Sequence, residues 1–333
     1  MNLAGASVRS VMPSGNGACI VHAELSKTLY GYELEACNPY LASIPGLPSR
    51  ALRQWLGGAD VVHLSPNTGH IPLPSGKRRV LSFHSFDIDP TDMQQASIAQ
   101  RIYYRRVLRP AIIAACASAD RIVAVSRYVA DCIRRHNLAG KMPLDVIYNG
   151  IDTERFRPIS EVDRDRPLRV LFVGNPSPRK GFHLLTALAE KLPAGVELAF
   201  TTGLRDQQVR SIHPRLVSLG SVPYSKMHLA YQQADILLFP AYREGFGLCV
   251  AEAMSCGLPV ISTNCSAIPE LITDGRGGFL VPPGDFPAML EKTLLLIQET
   301  GLRDSMGAWN RTRAIECFDR KRMANDYQAI FAN

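Results

Sequence analysis

Ala234-Asp-Ile-Leu-Leu-Phe-Pro240 and, one residue on, Tyr242-Arg-Glu-Gly-Phe-Gly-Leu-Cys-Val-Ala-Glu-Ala-Met254 form the stretch on which the fold turns. The apolar run up to Pro240 predicts a buried strand. Gly245-Phe-Gly247 predicts a turn, and Leu248 to Ser255 a short helix that Gly257 ends, with Pro259 beyond it. A strand, a glycine turn and a helix in that order aim unpaired backbone N–H groups and a positive dipole end at an anion. Two carboxylates flank the turn, Glu244 before the helix and Glu252 inside it. Glu252 stands among Leu248, Cys249, Val250, Ala251, Ala253 and Met254, where burying a carboxylate is costly unless it is hydrogen-bonded. Sugar and ribose hydroxyls would serve. Taken alone, the pair also fits two glutamates facing solvent.

The same plan repeats outward from this centre. Leu168 to Gly174 reads as a buried strand, Asn175-Pro-Ser-Pro-Arg-Lys-Gly181 as a turn, and Phe182 to Leu192 as a helix. Lys180, just ahead of that helix, would be a fixed charge for a diphosphate; a solvated surface lysine is the plain alternative. At the other end, Val8 to Pro13 predicts a strand, Ser14-Gly-Asn-Gly17 a turn and Ala18 to Leu29 a helix. Gly15 and Gly17 would let a phosphate or sugar approach closely. Further strands are expected at Tyr32–Cys37, Asp60–Leu64, Arg79–Phe83, Arg121–Val125, Glu197–Thr202, Leu216–Leu219 and Leu258–Ser262. Their alternation with helical stretches predicts an α/β fold of doubly wound parallel sheets. Ligands in such sheets sit beyond the carboxyl ends of strands. Ser82-Phe-His-Ser-Phe-Asp87 lies at one of those ends, with His84 either a ligand contact or a hydrogen-bonded core histidine. Asp87 is a candidate to orient an acceptor hydroxyl, and His63 and His70 read as structural. Amphipathic helices are expected from Ala288 to Glu299 and over most of Trp309 to Phe331, and the charged run Glu161 to Pro167 reads as linker.

The chain of 333 residues carries a formal charge of +7. Residues 1–160 hold 18 Lys and Arg against 12 Asp and Glu, and the remainder 19 against 18, so the basic excess is N-terminal. Such an excess suits an anionic partner. Gln100-Arg-Ile-Tyr-Tyr-Arg-Arg-Val-Leu-Arg109 combines bases with aromatics, and Arg101, Arg105, Arg106 and Arg109 recur at helical spacing. Together with Lys77-Arg78-Arg79 it predicts a docking face for an anionic lipid surface or a phosphorylated acceptor. The alternative is a solvated helix that packs Tyr103 and Val107 inward. The eight cysteines show no Cys-x-x-Cys pairs and read as core residues of a reduced cytoplasmic protein. The longest apolar run, Ala111 to Ala119, is too short to span a bilayer, so membrane contact is expected from the inner face only. No Gly-x-Gly-x-x-Gly follows a strand and no P-loop is present, which argues against a nicotinamide dehydrogenase and a P-loop enzyme. A nucleic-acid reader is a competitor on charge alone, but no reader motif accompanies the basic half, so no nucleic-acid partner is expected.

Asn149-Gly-Ile-Asp152, Phe156-Arg-Pro158, Lys180-Gly181, Asp235, Glu244-x7-Glu252 and Gly257-x-Pro-Val260 occur in that order. Together they resemble the signature of retaining, nucleotide-sugar-dependent glycosyltransferases of family 4. The resemblance implies the GT-B architecture: two Rossmann-like domains, each with a doubly wound parallel sheet, facing across a cleft. It places an acceptor-side domain at residues 1–155, a nucleotide-sugar domain at 156–319 and a terminal helix, 320–333, returning to the first domain. It implies transfer of a hexosyl unit from a UDP- or GDP-linked sugar to a hydroxyl acceptor, lipid-linked or polysaccharide, with no cofactor and no metal. Glu252 would take the ribose hydroxyls. Glu244 with the backbone of Gly245, Phe246 and Gly247 would hold the sugar, and Lys180 with the N–H groups around Leu248 the diphosphate. Val222 would lie near the base, Gly15 and Gly17 near the donor, and His84 against the transferred sugar. One departure stands out: where the family has Gly-Arg at the strand end, this chain has Gly174-Asn175. Arg179 and Arg205 are the candidates to restore that charge. A nucleotide-sugar epimerase of the same architecture, and an inactive relative, are the remaining alternatives.

Overall fold

The structure, a computed structural model, describes residues 6–38, 50–69, 71–73, 75–86, 98–159, 166–203 and 213–332. The chain divides into two compact units, residues 1–150 with 320–333, and residues 151–319.

The first unit is built on β1 (Val8–Pro13), β2 (Tyr32–Cys37), β3 (Val61–Leu64), β4 (Arg78–Phe83), β5 (Arg121–Ala124) and β6 (Leu144–Val146). They form one sheet in the order β2-β1-β3-β4-β5-β6, every neighbouring pair parallel. β3 is buried on both faces, as a parallel sheet covered by helices requires. The strand order reverses between β1 and β3, which register Ser10 against His63.

The second unit carries β7 (Leu168–Phe172), β8 (Val196–Thr202), β9 (Leu216–Ser221), β10 (Ile236–Phe239), β11 (Val260–Thr263) and β12 (Gly278–Val281). Their order is β12-β11-β10-β7-β8-β9, again all parallel. Read from β9, this is the dinucleotide-fold order, with the reversal between β7 and β10. Val170, Phe172, Leu198, Phe200, Ile236 and Leu238 pack one continuous core under the helix Leu184–Lys191. Phe182 sits edge-on to both Phe172 and Phe200.

The C-terminal helical stretch differs from expectation. It is two helices, Thr300–Phe318 and Arg320–Ala332, broken at Asp319, whose backbone is extended and whose carboxylate accepts from Thr153. The first belongs to the second unit, where Asn310 Nδ2 donates to the carbonyls of Leu258 and Gly277 at 2.7 and 2.6 Å. The second belongs to the first unit: Met323, Ala324, Tyr327 and Phe331 are buried there. Arg320 donates to the buried carboxylate of Glu24 on the helix Gly17–Thr28 at 2.8 Å. Arg78 terminates the helix Arg320–Ala332, its guanidinium donating to the carbonyls of Ile330 and Phe331 at 2.6 and 3.0 Å.

Candidate active site

In the second unit the site is built where the strand order reverses. β7 and β10 lie side by side, Val170 against Ile236 and Leu171 against Leu237, so the turns that leave them are neighbours. The turn after β7 closes in a short 3-10 helix, Pro178–Lys180, and ends on Gly181 at φ +72°. A Cβ on Gly181 would run into the Pro240 carbonyl, so only glycine allows the two turns to meet this closely. The Tyr242 N–H donates to the Arg179 carbonyl at 2.9 Å and stitches them together.

The consequence is an ion pair. The Lys180 ammonium donates to Glu244 Oε2, and both side chains are mostly withdrawn from solvent, at 15% and 18% exposure. Lys180 Nζ also lies over the Phe239 ring, 4.7 Å from its centroid. Burial pushes the Glu244 carboxyl upward, but the Lys180 and Arg179 charges outweigh it and hold the pKa below the usual carboxylate range. Glu244 therefore stays ionised.

Gly247 then caps the helix Leu248–Ser255 at φ +101°, a left-handed conformation that suits glycine. No side chain caps this N-terminus, so the first N–H groups have no side-chain acceptor. Glu252, one turn further in, is 4% exposed, and its Oε2 accepts from the Tyr231 hydroxyl at 2.7 Å. Cys249 senses all three charges. Burial pushes its thiol up, Lys180 opposes, and Glu244 and Glu252 add to the rise. Lys180, Glu244 and Glu252 thus all act on the one thiol in the first turn of this helix.

Other expected site residues fall differently. Phe246 is buried edge-on against Phe318, 5.6 Å between ring centroids, so its ring is taken up in packing. Gly245 is buried in the same turn, and Leu248 is half-buried at the head of the helix. Asn175 is exposed, and its amide occupies the space a side chain at Gly203 would need. Arg179 is exposed, with Nη1 3.4 Å from the Arg243 carbonyl and its charge felt at Glu244. Val222 is half-buried directly after β9. Arg205, Asp87 and His70 lie outside the described residues.

In the first unit Gly15 has φ +72° with open space around its α-carbon, and Gly17 opens the helix Gly17–Thr28. Asn16 between them is the N-cap, its Oδ1 accepting from the Cys19 N–H at 2.9 Å. His84 follows β4 and is half-buried. Its Nε2 pairs with His22 Nε2 at 3.0 Å, and its shielded Nδ1 has no hydrogen-bond partner among the described residues. Burial lowers its pKa to about 4, so it is neutral at physiological pH.

The basic stretch is helical from Ile98 to Ala117, with a π-turn at Tyr104–Leu108. Tyr103 and Val107 do not pack inward: both are exposed, beside Ile98 at 77% and Ile102 at 59%. The Lys77-Arg78-Arg79 cluster is not a free patch. Arg78 is spent on the C-terminal helix, and Arg79 donates to the Gly69 carbonyl and Ser118. Sequence reasoning missed Tyr231 and the pairing of His22 with His84. A polar ring or hydroxyl inside an otherwise apolar helix is the signal that would have found both.

Two parallel, doubly wound sheets with charged groups at the reversal of strand order define a nucleotide-binding class of fold. Sucrose-phosphate synthase from Thermosynechococcus elongatus superimposes with a TM-score of 0.79 at 19% identity, covering 98% of both chains. HepE from Anabaena, solved with UDP and glucose, gives 0.77 at 17% identity over 98% of this chain and all of that one. The fold is GT-B. Residues 24–155 match the family described as Glycosyltransferase Family 4, and residues 167–299 match Glycosyl transferases group 1. The chain belongs to the family 4 type of glycosyltransferases. It is similar to the D-inositol 3-phosphate glycosyltransferase of Mycobacteroides abscessus, 31% identical over 182 residues, 49% of this chain and 41% of that one. It is also similar to the sulfoquinovosyl transferase of Arabidopsis thaliana, 29% identical over 173 residues, 47% and 34% of the two chains. The matched part is thus under half the length of these relatives. No helix among the described residues is long and apolar enough to cross a membrane.

Proposed function

We propose that the protein transfers a hexosyl unit from a UDP- or GDP-linked sugar to a hydroxyl acceptor, with retention and without a metal. The observation that carries this reading is the Lys180–Glu244 pair set against the uncapped N-terminus of the helix Leu248–Ser255. A donor diphosphate would compete with Glu244 for the Lys180 ammonium and take the helix N–H groups. Glu244, so released and still ionised, would accept from hydroxyls of the sugar. Glu252, oriented by Tyr231, would accept from the ribose. The acceptor oxygen bonds to the anomeric carbon on the face that the diphosphate leaves. The carbon–oxygen bond to the diphosphate breaks, and a diphosphate oxygen takes the acceptor proton. Lys180 and the helix dipole stabilise the charge that builds on the leaving group. His84 would contact the sugar and Asp87 an acceptor hydroxyl, and Arg179 is the described residue that could offset Asn175. That HepE was solved with UDP and glucose supports a UDP donor.

A panel of UDP- and GDP-sugars screened by thermal shift tests the donor. A true donor at a hundred times its Kd stabilises by about 2.7 kcal/mol through mass action. A panel in which neither the sugars nor UDP and GDP move the melting temperature would refute the reading.

The exposed helix Ile98–Ala117 supports an acceptor held at an anionic lipid surface. Arg101, Arg105, Arg106 and Arg109 are all exposed, and Ile98 and Ile102 stand beside them. Each base near such a surface is worth about 1 kcal/mol. Changing all four arginines to Gln is expected to weaken binding to phosphatidylserine vesicles by at least a hundredfold. Vesicle flotation that is unaltered by the four changes removes the lipid surface from the proposal.

A further inference from the structure

A continuous chain of buried polar groups runs behind His84. Tyr327 Oη meets Ser82 Oγ at 2.8 Å, and Ser82 Oγ meets His63 Nε2 at 2.6 Å. His63 Nδ1 meets Tyr32 Oη at 2.8 Å, and Tyr32 Oη meets His22 Nδ1 at 2.7 Å. His22 Nε2 then reaches His84 Nε2 at 3.0 Å. Ser10 Oγ joins at the middle, 2.7 Å from His22 Nδ1. His22, His63, Ser82, Ser10, Tyr32 and Tyr327 are all buried, so none of these links is made to bulk water.

Which nitrogen of each ring carries its proton follows from counting donors and acceptors along the chain. Burial keeps all three imidazoles neutral, each pKa lying below the usual histidine range. A neutral imidazole donates through one nitrogen and accepts through the other, so each link fixes the next. In one direction Tyr327 donates to Ser82, Ser82 to His63 Nε2, His63 Nδ1–H to Tyr32, Tyr32 to His22 Nδ1, and His22 Nε2–H to His84 Nε2. Ser10 donates to the same His22 Nδ1. Every donor in the chain is satisfied except one, the N–H at His84 Nδ1. In the reverse direction the Tyr327 O–H, buried, has no acceptor among the described residues, and the His84 Nδ1 lone pair has no donor. Reversing only the His22–His84 half instead strands the Ser10 proton and leaves the same lone pair empty. The first direction leaves one buried group unpaired and each alternative leaves two; a buried polar group left unpaired costs about 1–3 kcal/mol, so the first direction wins.

We propose that His22, at the head of this hydrogen-bonded chain, is a positioning residue that locks His84 as the Nδ1–H tautomer and so presents a fixed N–H donor to a sugar oxygen. Among the described residues Nδ1 is where the chain ends without an acceptor, and a ligand hydroxyl supplies it. An isolated histidine side chain favours the Nε2–H tautomer, so the lock works against the ring's own preference. The inference deepens the glycosyltransferase reading, because it assigns the His84 contact a direction: His84 donates and the sugar accepts.

The tautomer is directly measurable on the full chain labelled with 15N-histidine, His84 being assigned by loss of its signals in His84→Gln. The expected pattern at pH 7.5 is a protonated Nδ1 and an unprotonated Nε2. A wild-type His84 found as the Nε2–H tautomer, or as a cation, overturns the proposal without any variant or any substrate. His22→Leu removes the donor and is expected to turn His84 to Nε2–H. His22→Gln keeps an N–H where His22 Nε2 sits and is expected to restore Nδ1–H. With a donor sugar from the thermal-shift panel, turnover should fall about tenfold in His22→Leu and stay within about threefold of wild type in His22→Gln. Equal losses in the two variants, with the tautomer unmoved in both, would show a packing role only and sink the idea. If no donor binds, the glycosyltransferase reading falls while the tautomer result decides the lock by itself. If donors turn over and His84 is Nε2–H, only the lock falls.

Discussion

Lys180→Ala is expected to lower kcat/KM by about a hundredfold to a thousandfold, the range found when a preorganised donor to a developing anion is removed. It should also destabilise the second unit. Glu244 loses the charge that holds it ionised, and in so sheltered a place a lone carboxylate is costly. Its pKa should then rise above the usual carboxylate range, since burial is the opposing cause that remains largest. The two effects are separable. Lys180→Ala with Glu244→Ala removes both charges together, and should return much of the lost stability while leaving activity as low as in the single variant. Urea midpoints and steady-state rates on the three variants read this out. A Lys180→Ala enzyme with wild-type turnover would falsify the diphosphate role, whatever its stability.

The reason this pair could be foreseen, and its geometry could not, is physical. Lys180 and Glu244 each stand at the carboxyl end of a strand whose apolar run is plain in the sequence. Parallel pairing of β7 and β10 then brings the two turns together. Local pattern therefore shows the sheets, the turns and the charges on them. It does not show direct pairing across 64 residues of chain, which depends on Gly181 admitting the Pro240 carbonyl. Phe246 is the same lesson in reverse. The local sequence shows a glycine turn around it, and not that Phe318, from a helix far along the chain, claims its ring. Arg78 and Arg79 read as a surface cluster because local sequence does not reveal that the carbonyls of Ile330 and Phe331 end beside them. Tyr103 and Val107 have the spacing of an inward stripe, and a π-turn between Tyr104 and Leu108 alters that spacing. His63, read as structural, is structural in a specific sense: it is the middle of a hydrogen-bonded chain whose members come from two helices, four strands and the turn after β4.

That same cluster should make the first unit acid-labile well above the range where carboxylates titrate. In the unfolded chain His22, His63 and His84 titrate near pH 6.5. In the folded chain burial, aided at His22 and His63 by the other imidazoles, depresses all three, His84 to about 4 and His22 and His63 well below the usual value. The sign follows directly. Between the folded and unfolded values the unfolded chain binds more protons, so stability present above about pH 6.5 is lost as the pH falls towards about 4. For His84 alone the gap corresponds to about 3 kcal/mol. With all three groups engaged the slope approaches three protons, about 4 kcal/mol per pH unit. Tyr32 and Tyr327 do not blur this window, since burial pushes both phenols upward and away from it. Trp309→Phe leaves Trp55 as the fluorescent reporter of the first unit, and urea midpoints at pH 7.5, 6.5, 5.5 and 4.5 give the slope. His84→Gln should reduce that slope by about one proton. A midpoint that is flat from pH 7.5 to 5.5 would mean that the buried imidazoles take up protons without loss of the fold. The cluster could not then be the neutral, directional chain that its distances describe.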